Sequence, residues 1–469
     1  MPTREPLSGT DNAWRRMGTT NNLMTITGVL MFEEPVGYDE LCDRLEQRLL
    51  RYERFNQRVG GQKRRFMRPY WEDCEGFNIR NHVYDLRLPE PGDQEAFEEF
   101  VGKLMSRPLD ERRPMWEAYL MEDGGPGDGN AVALRIDHSL GDGFALLYVM
   151  LGLVDNPQEL EFPIGGVSAP PPPPGEGDDT PIPPKQTPSG GDGRSDGDDG
   201  VDELRKKTRP QSALGTVAMG ARAAKTGFDL LTMSPEPETS LVGDLCQTKG
   251  AAWTRRIDLE EIKEIGNAHD ATVNDVLLAT TAGAIRRVLD SRGEDTTGLE
   301  LRCTIPVNLK PMDERTESLG NYFGLVFAPI PVGVRDLNER IDTVHEQMDV
   351  RKAGIEAFLM YKLLSIAGHV PKPVQDVAMK VFEDQATGVV TNVPGPINAA
   401  EIAGKKVSDM IFWVPQGNDQ GLGISIISYN GSVRIGVAAD ENLLPDPKAM
   451  ADAFESEVDE LLSELHPSS

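Results

Sequence analysis

Apolar positions recur along this 469-residue chain with two different periods, and both periods occur at each end of it. Leu41, Leu45 and Leu49 fall at the four-residue step of an amphipathic helix that begins near Asp39. Val132, Leu134 and Ile136 alternate with smaller or polar residues, the period of a strand with one buried face. A turn rich in glycine follows, and then the apolar stretch from Phe144 to Val154. Later in the chain, 424–429 and 432–437 read as two strands around Asn430-Gly431, the dipeptide of a tight hairpin. The chain closes with a helix whose start is marked by Asp446 and Pro447, and whose buried stripe is Met450, Phe454, Val458, Leu461 and Leu465. Helices and strands mixed in both halves predict an α+β fold with α/β layers. No internal repeat stands out, although two halves of similar size leave room for a diverged duplication.

Between the halves the periodicity stops. Residues 163–204 contain the run Pro170 to Pro174 and then glycines and aspartates in close succession, a mixture that buries too little apolar surface to offset chain entropy. This stretch is expected to be a disordered or extended acidic linker. It divides the chain into an N-terminal domain at 1–162 and a C-terminal domain at 241–469, with a connecting segment at 205–240. In that segment the charge changes sign: no Asp or Glu occurs from Arg205 to Phe228, while Arg205, Lys206, Lys207, Arg209, Arg222 and Lys225 are basic. With Leu214, Val217, Met219 and Phe228 among them, these residues suit a helical foot on an anionic lipid surface or a cradle for phosphates. A counter-charge to the linker, or a helix docked on the core, fits them equally.

Composition narrows the partners. Asp and Glu number 76 against 48 Lys and Arg, a net charge of -28, which repels phosphate backbones and argues against nucleic acid. Such a surface suits a host with high internal salt, and it also suits an ordinary acidic cytosolic protein. Cys42, Cys74, Cys246 and Cys303 are scattered without a close pair, which points away from a zinc site or disulfide framework and towards a reducing compartment. The opening Met-Pro-Thr-Arg-Glu-Pro lacks the apolar core of a signal peptide, and no apolar run approaches the ~18 residues of a spanning helix. The expected location is the cytoplasm, with peripheral contact on the inner face of the membrane as an extension of it.

The chemistry concentrates in Asp137 to Gly143, which reads Asp-His-Ser-Leu-Gly-Asp-Gly at the junction of the alternating and apolar segments. Gly141 and Gly143 are expected to supply backbone angles closed to other residues. Asp142 carries a charge that burial would force onto a cation or amide donors, so bracing the turn is its expected part. His138 titrates near neutrality and is suited to take a proton from a hydroxyl. A lone strand-end histidine is more often a satisfied structural residue; the complete turn pattern around this one favours the chemical reading.

Further motifs stand on both sides of that turn. Pro6-Leu7-Ser8, Asp11, Trp14 to Met17, Asn22 to Gly28, and Leu49, Arg51, Tyr52, Arg54 and Phe55 resemble the opening of the bacterial wax ester synthase/diacylglycerol acyltransferase family. Pro114-Met115-Trp116 is similar to that family's Pro-Leu-Trp motif, and Asp137 to Gly143 to its His-His-x-x-x-Asp-Gly motif. Asn274-Asp275, Pro306 to Leu309, Leu319-Gly320-Asn321 to Gly324, and Thr391 to Pro396 follow in the family's order, so the resemblance spans nearly the whole chain apart from the linker. It implies two chloramphenicol-acetyltransferase-like domains with an active-site channel between them. It also implies acyl-CoA as co-substrate without a bound cofactor or metal, and a lipid alcohol or diacylglycerol as acceptor, at a membrane or lipid-droplet surface. On this likeness His138 is the general base, Asp142 and Asn274 belong to the catalytic group, and Met115, Trp116, Gly143, Thr391 and Asn392 line the substrate path. Asp137, Gly141 and Asp275 are motif residues with structural parts.

The chain departs from the family where Asp137 replaces the first motif histidine. A carboxylate beside the base would raise its pKa if the two side chains met, but strand neighbours point to opposite faces. Asn274 near a helix start either donates to an oxyanion or caps the helix, and Trp116 in an apolar strand either lines a tunnel or fills the core. Three functions remain: an O-acyltransferase making neutral lipid, an enzyme of the same architecture with another hydroxyl or amine acceptor, and a lipid-surface binding protein without catalysis. His82, His269, His345, His369 and His466 sit in no comparable pattern.

Overall fold

The helix expected near Asp39 forms over Tyr38–Arg48, with Leu49 in the 3-10 turn that follows. The hairpin forms as read, with Asn430 and Gly431 at φ 47° and 75°, the left-handed pair that a two-residue turn demands. The closing helix, Pro447–Leu465, is capped by the Asp446 carboxylate, which accepts from the amides of Lys448 and Ala449. These features belong to a computed structural model that describes residues 4–61, 69–122, 124–126, 128–155, 157–162, 233–309, 319–351, 355–376, 385–417 and 420–466. The expected acidic linker, and the basic segment up to residue 232, lie outside the described residues.

Two large sheets carry the fold. In the first, Thr25–Phe32 pairs antiparallel with Ala131–Asp137, which pairs with Trp116–Met121 and, beyond it, the parallel edge strand Val83–Leu86. In the second, the order is Phe323–Ile330, Leu301–Asn308, Gly388–Pro394, Leu422–Tyr429, Ser432–Asp440 and Lys249–Trp253, with Ile257–Asp258 also on Ser432–Asp440. Glu5–Pro6, Tyr70–Asp73 and Gln57–Gly60 make a small third sheet. The other side of Thr25–Phe32 is taken by Lys405–Trp413, edged by Glu401–Ile402. Backbone pairing therefore runs across the division that the linker suggests, and it ties the two halves. Gly436 lets the second sheet approach Lys405–Trp413 closely, since a Cβ there would lie 2.6 Å from the Phe412 carbonyl oxygen.

The strand Ala131–Asp137 is buried on both faces, not on one as its alternation predicts. Val132, Leu134 and Ile136 pack into the core of the first half. Ala131 and Ala133 face a second cluster that includes Trp253, Trp413 and Ala438 from the other half. Arg135 is fully buried there, with Glu117 3.0 Å away as its counter-charge. The small residues of the alternation thus mark the face on which the halves meet.

Candidate functional site

His138 follows the strand Ala131–Asp137 directly, its amide held 2.8 Å from the Met24 carbonyl at the start of the neighbouring strand. The helix Gly9–Met17 brings Trp14 face to face with the imidazole, ring centroids 4.5 Å apart and planes 17° apart, and Phe323 closes another side at 5.5 Å. That helix crosses the one at Ile355–Ala367 so closely that a Cβ on Gly368 would overlap the Gly9 carbonyl. Asn12, Arg16 and Gln375 bond across the crossing.

The hydrogen bonds around the ring decide its tautomer. Asn321 Nδ2 lies 2.9 Å from Asp11 Oδ1 and 2.8 Å from the His138 carbonyl oxygen; both are acceptors, so this atom must be the amide nitrogen. Its partner Oδ1 then faces His138 Nδ1 at 2.9 Å, and Nδ1 must carry the proton. Nε2 is left as the basic nitrogen. Asp11 is itself held by Arg54, 3.2 Å from its second oxygen, and Arg54 also donates to the Leu140 carbonyl. Burial pushes the imidazole pKa down to about 4, against smaller upward pulls from hydrogen bonding to its own backbone, from Asn321 and from Asp11. The ring is therefore neutral at physiological pH.

Asp142 caps the helix Gly143–Leu153 through Ala145 N at 2.8 Å, and its other oxygen accepts from Tyr322 N at 2.8 Å. It braces the turn against the second half. Neither Gly141 nor Gly143 has a positive φ, which corrects the expectation drawn from the sequence. Gly141 sits in tight packing, since a Cβ would stand 3.2 Å from Ala145 Cβ. Asp137 accepts from the amide and the hydroxyl of Ser139; burial raises its carboxyl pKa.

Two cavities share part of their walls, and His138 lines one of them. The first, a chamber, is lined by His138, Trp14, Asp142, Gly143, Thr304, Phe323, Thr391 and Gln420 among others. The second is apolar throughout, with Leu134, Leu147, Met150, Met410 and Ile427 in its walls. Ile26, Gly143, Val393 and Phe412 line both. Of the residues expected on the substrate path, Gly143 and Thr391 are there. Trp116 and Met115 are not, because both fill the core: the Trp116 indole stacks on His82 and donates to the Phe55 carbonyl at 2.8 Å. Asn274 and Asn392 bond each other at 3.3 Å and line neither cavity. Thr272 caps the helix that carries Asn274, Val273–Ser291, in a box completed by Asp275, which also meets His345 at 2.9 Å. Asp11, Trp14 and Arg54 appear in the sequence only as family motifs, and Asn321 likewise, so their convergence on His138 comes from the fold alone.

Among solved structures, this fold matches a wax ester synthase/diacylglycerol acyltransferase from Marinobacter aquaeolei VT8, with TM-score 0.67, 22% identity and coverage of 98% of this chain and 99% of that one. It also matches the first condensation domain of the calcium-dependent antibiotic synthetase, with TM-score 0.62, 15% identity and coverage of 99% and 96%. The class is thus a two-lobed α+β architecture shared by acyltransferases and condensation domains. The family is settled by sequence. The wax ester synthase/diacylglycerol acyltransferase catalytic domain matches residues 7–277 and the WS/DGAT C-terminal domain matches 319–462, so this chain belongs to that family. Similar proteins include one of Mycobacterium tuberculosis named a probable diacylglycerol O-acyltransferase, 25% identical over 94% of this chain and 91% of its own length. Another is wax ester synthase/diacylglycerol acyltransferase 10 of Arabidopsis thaliana, 24% identical over 96% and 95%.

Proposed function

We propose that this acyltransferase moves a fatty acyl group from acyl-CoA to the hydroxyl of a long-chain alcohol or diacylglycerol, with His138 Nε2 as general base. The observation that carries the reading is an imidazole with Nδ1 committed to Asn321, lining a chamber that shares four wall residues with a wholly apolar cavity. In the reaction Nε2 takes the acceptor's hydroxyl proton as its oxygen bonds to the thioester carbonyl carbon. The carbon–sulfur bond then breaks, and the proton passes from Nε2 to the departing thiolate. Ester and free CoA thiol are the products, and no acyl-enzyme is needed. Asn321 and Trp14 fix the ring's plane, Asp142 fixes the turn, and the hydrocarbon walls keep water from the thioester.

Access from a lipid surface is part of the same proposal. The helix Ile355–Ala367 puts Met360 on the chamber wall, while Leu363 and Ile366 are 42% and 61% exposed beside Lys362. No helix among the described residues is long and apolar enough to cross a membrane. The test is thiol release from palmitoyl-CoA with a panel of alcohols, diacylglycerol and amines, with and without anionic vesicles, across salt concentrations. Release with hexadecanol or diacylglycerol and none with amines is expected. Turnover only of amines would overturn the assignment.

A further inference from the structure

The glycine that lines both cavities has no structural need to be glycine. Gly143 is the first residue of the helix Gly143–Leu153, and its φ is not positive. A Cβ built on it meets no atom within 4 Å, whereas one on Gly141, two residues earlier, would press on Ala145. Neither backbone geometry nor packing therefore excludes a side chain at this position. Gly143 lines both cavities together with Ile26, Val393 and Phe412, so the chamber and the apolar cavity adjoin at this position.

We propose that Gly143 is the specificity-determining position of the reaction: its missing side chain keeps open the passage through which a straight hydrocarbon chain threads from His138 into the apolar cavity. The inference rests on the acyl-transfer reading, and it adds the chemical class of the cavity's occupant. The helix that begins at Gly143 supplies Leu146, Leu147, Met150 and Leu151 to that cavity, and no lining residue carries a polar side chain. Such walls accept methylenes and reject headgroups, each buried methylene being worth about fourfold in binding. A larger side chain at 143 would compete with the hydrocarbon chain for the open space at this position.

The chain belongs either to the acyl group or to the acceptor, and two arms separate them. Gly143→Ala, Gly143→Val and Gly143→Leu are assayed with straight acyl-CoAs of graded length at one alcohol, and with straight alcohols of graded length at one acyl-CoA. In one of the two series the ratio of long-chain to short-chain kcat/KM should fall stepwise from Ala to Leu, by at least about tenfold in Gly143→Leu. The thermal midpoint should hold or rise. Calorimetric binding of the same two series reads the passage without turnover. A wild-type protein that releases no thiol with any acceptor would sink the acyl-transfer reading, and the binding contrast would still decide on Gly143. Loss that is equal at all chain lengths in both series, or length ratios unchanged in Gly143→Leu, overturns the proposal.

Discussion

Two buried polar clusters hold guanidinium against carboxylate in this molecule, and they differ in what is left over. On the closing helix, Glu457 is wholly buried and accepts from Arg286 at 3.0 Å, from Arg287 and from Arg340. Arg340 also donates to the carbonyls of Ala279 and Val334. Gly283 makes room for this carboxylate within its helix, since a Cβ there would overlap Glu457 Oε2. Both Glu457 oxygens are taken, and none of these residues lines either cavity. The other cluster runs from Arg54 through Asp11 and Asn321 to His138, and it ends on a ring nitrogen that no protein group in the chain of bonds occupies, on a cavity wall. On the proposed function, the cluster whose hydrogen bonds end on one basic atom at a chamber wall serves the reaction, and the one whose bonds close on themselves serves stability.

The comparison breaks most clearly by substitution at its two ends. His138→Ala should lower kcat/KM for thiol release by about 10²–10⁴-fold, the usual worth of a positioned base, while the thermal midpoint moves little. Glu457→Gln should do the reverse. Removing one partner of a buried ionic group costs roughly 3–5 kcal/mol, seen as a lowered denaturation midpoint, and the folded fraction should keep its specific activity. If Glu457→Gln instead lost turnover without losing stability, the two clusters would not be separate in kind.

Asn321→Ala sharpens the functional side. It frees Nδ1, so the ring is no longer held in one tautomer, and kcat should fall about tenfold with a smaller change in KM. Equal effects on both parameters would make Asn321 a binding residue. Asp137→Ala should cost less again, because the Asp137 carboxylate turns to Ser139 and not to the ring. Steady-state kinetics of both variants decide this; a loss at Asp137 equal to that at His138 would mean that the base has been placed on the wrong residue.

Much of this was legible in the sequence where the determinants are local. The turn Asp137 to Gly143 announces a histidine between a strand and a helix, Asn430-Gly431 announces the hairpin, and Asp446-Pro447 the closing helix. What escaped sequence reasoning depends on distant segments. Asn321 meets His138 from 183 positions away, and the Asn321 motif carries no mark of that partner. The strand Lys405–Trp413 reads as part of the second half and yet hydrogen-bonds to the first, because alternation reports a buried face without saying which sheet buries it. Trp116 serves a core as well as a tunnel by its chemistry, and only the stacked His82 decides between them. Gly143 was read through backbone angle, the commonest reason for glycine, when its surroundings point to open space.

The smallest effect is on stability. Since the folded His138 pKa lies at about 4 and the ordinary value is 6.5, the unfolded chain binds the extra proton first as pH falls. The contribution from burying a neutral ring is present above about 6.5 and is lost progressively towards 4. Denaturant midpoints at pH 7.5 and 5.5 should therefore differ more in the wild type than in His138→Gln.

The central claim is that the reacting base is a neutral imidazole kept neutral by burial, and the pH dependence of kcat/KM reports the protonation of that base in the free enzyme. Measured from pH 5.5 to 8 with palmitoyl-CoA and hexadecanol, with circular dichroism to show an intact fold, the profile should carry no acid limb, as a pKa of about 4 requires. A half-fall near pH 6.5 in the folded wild type would contradict the account.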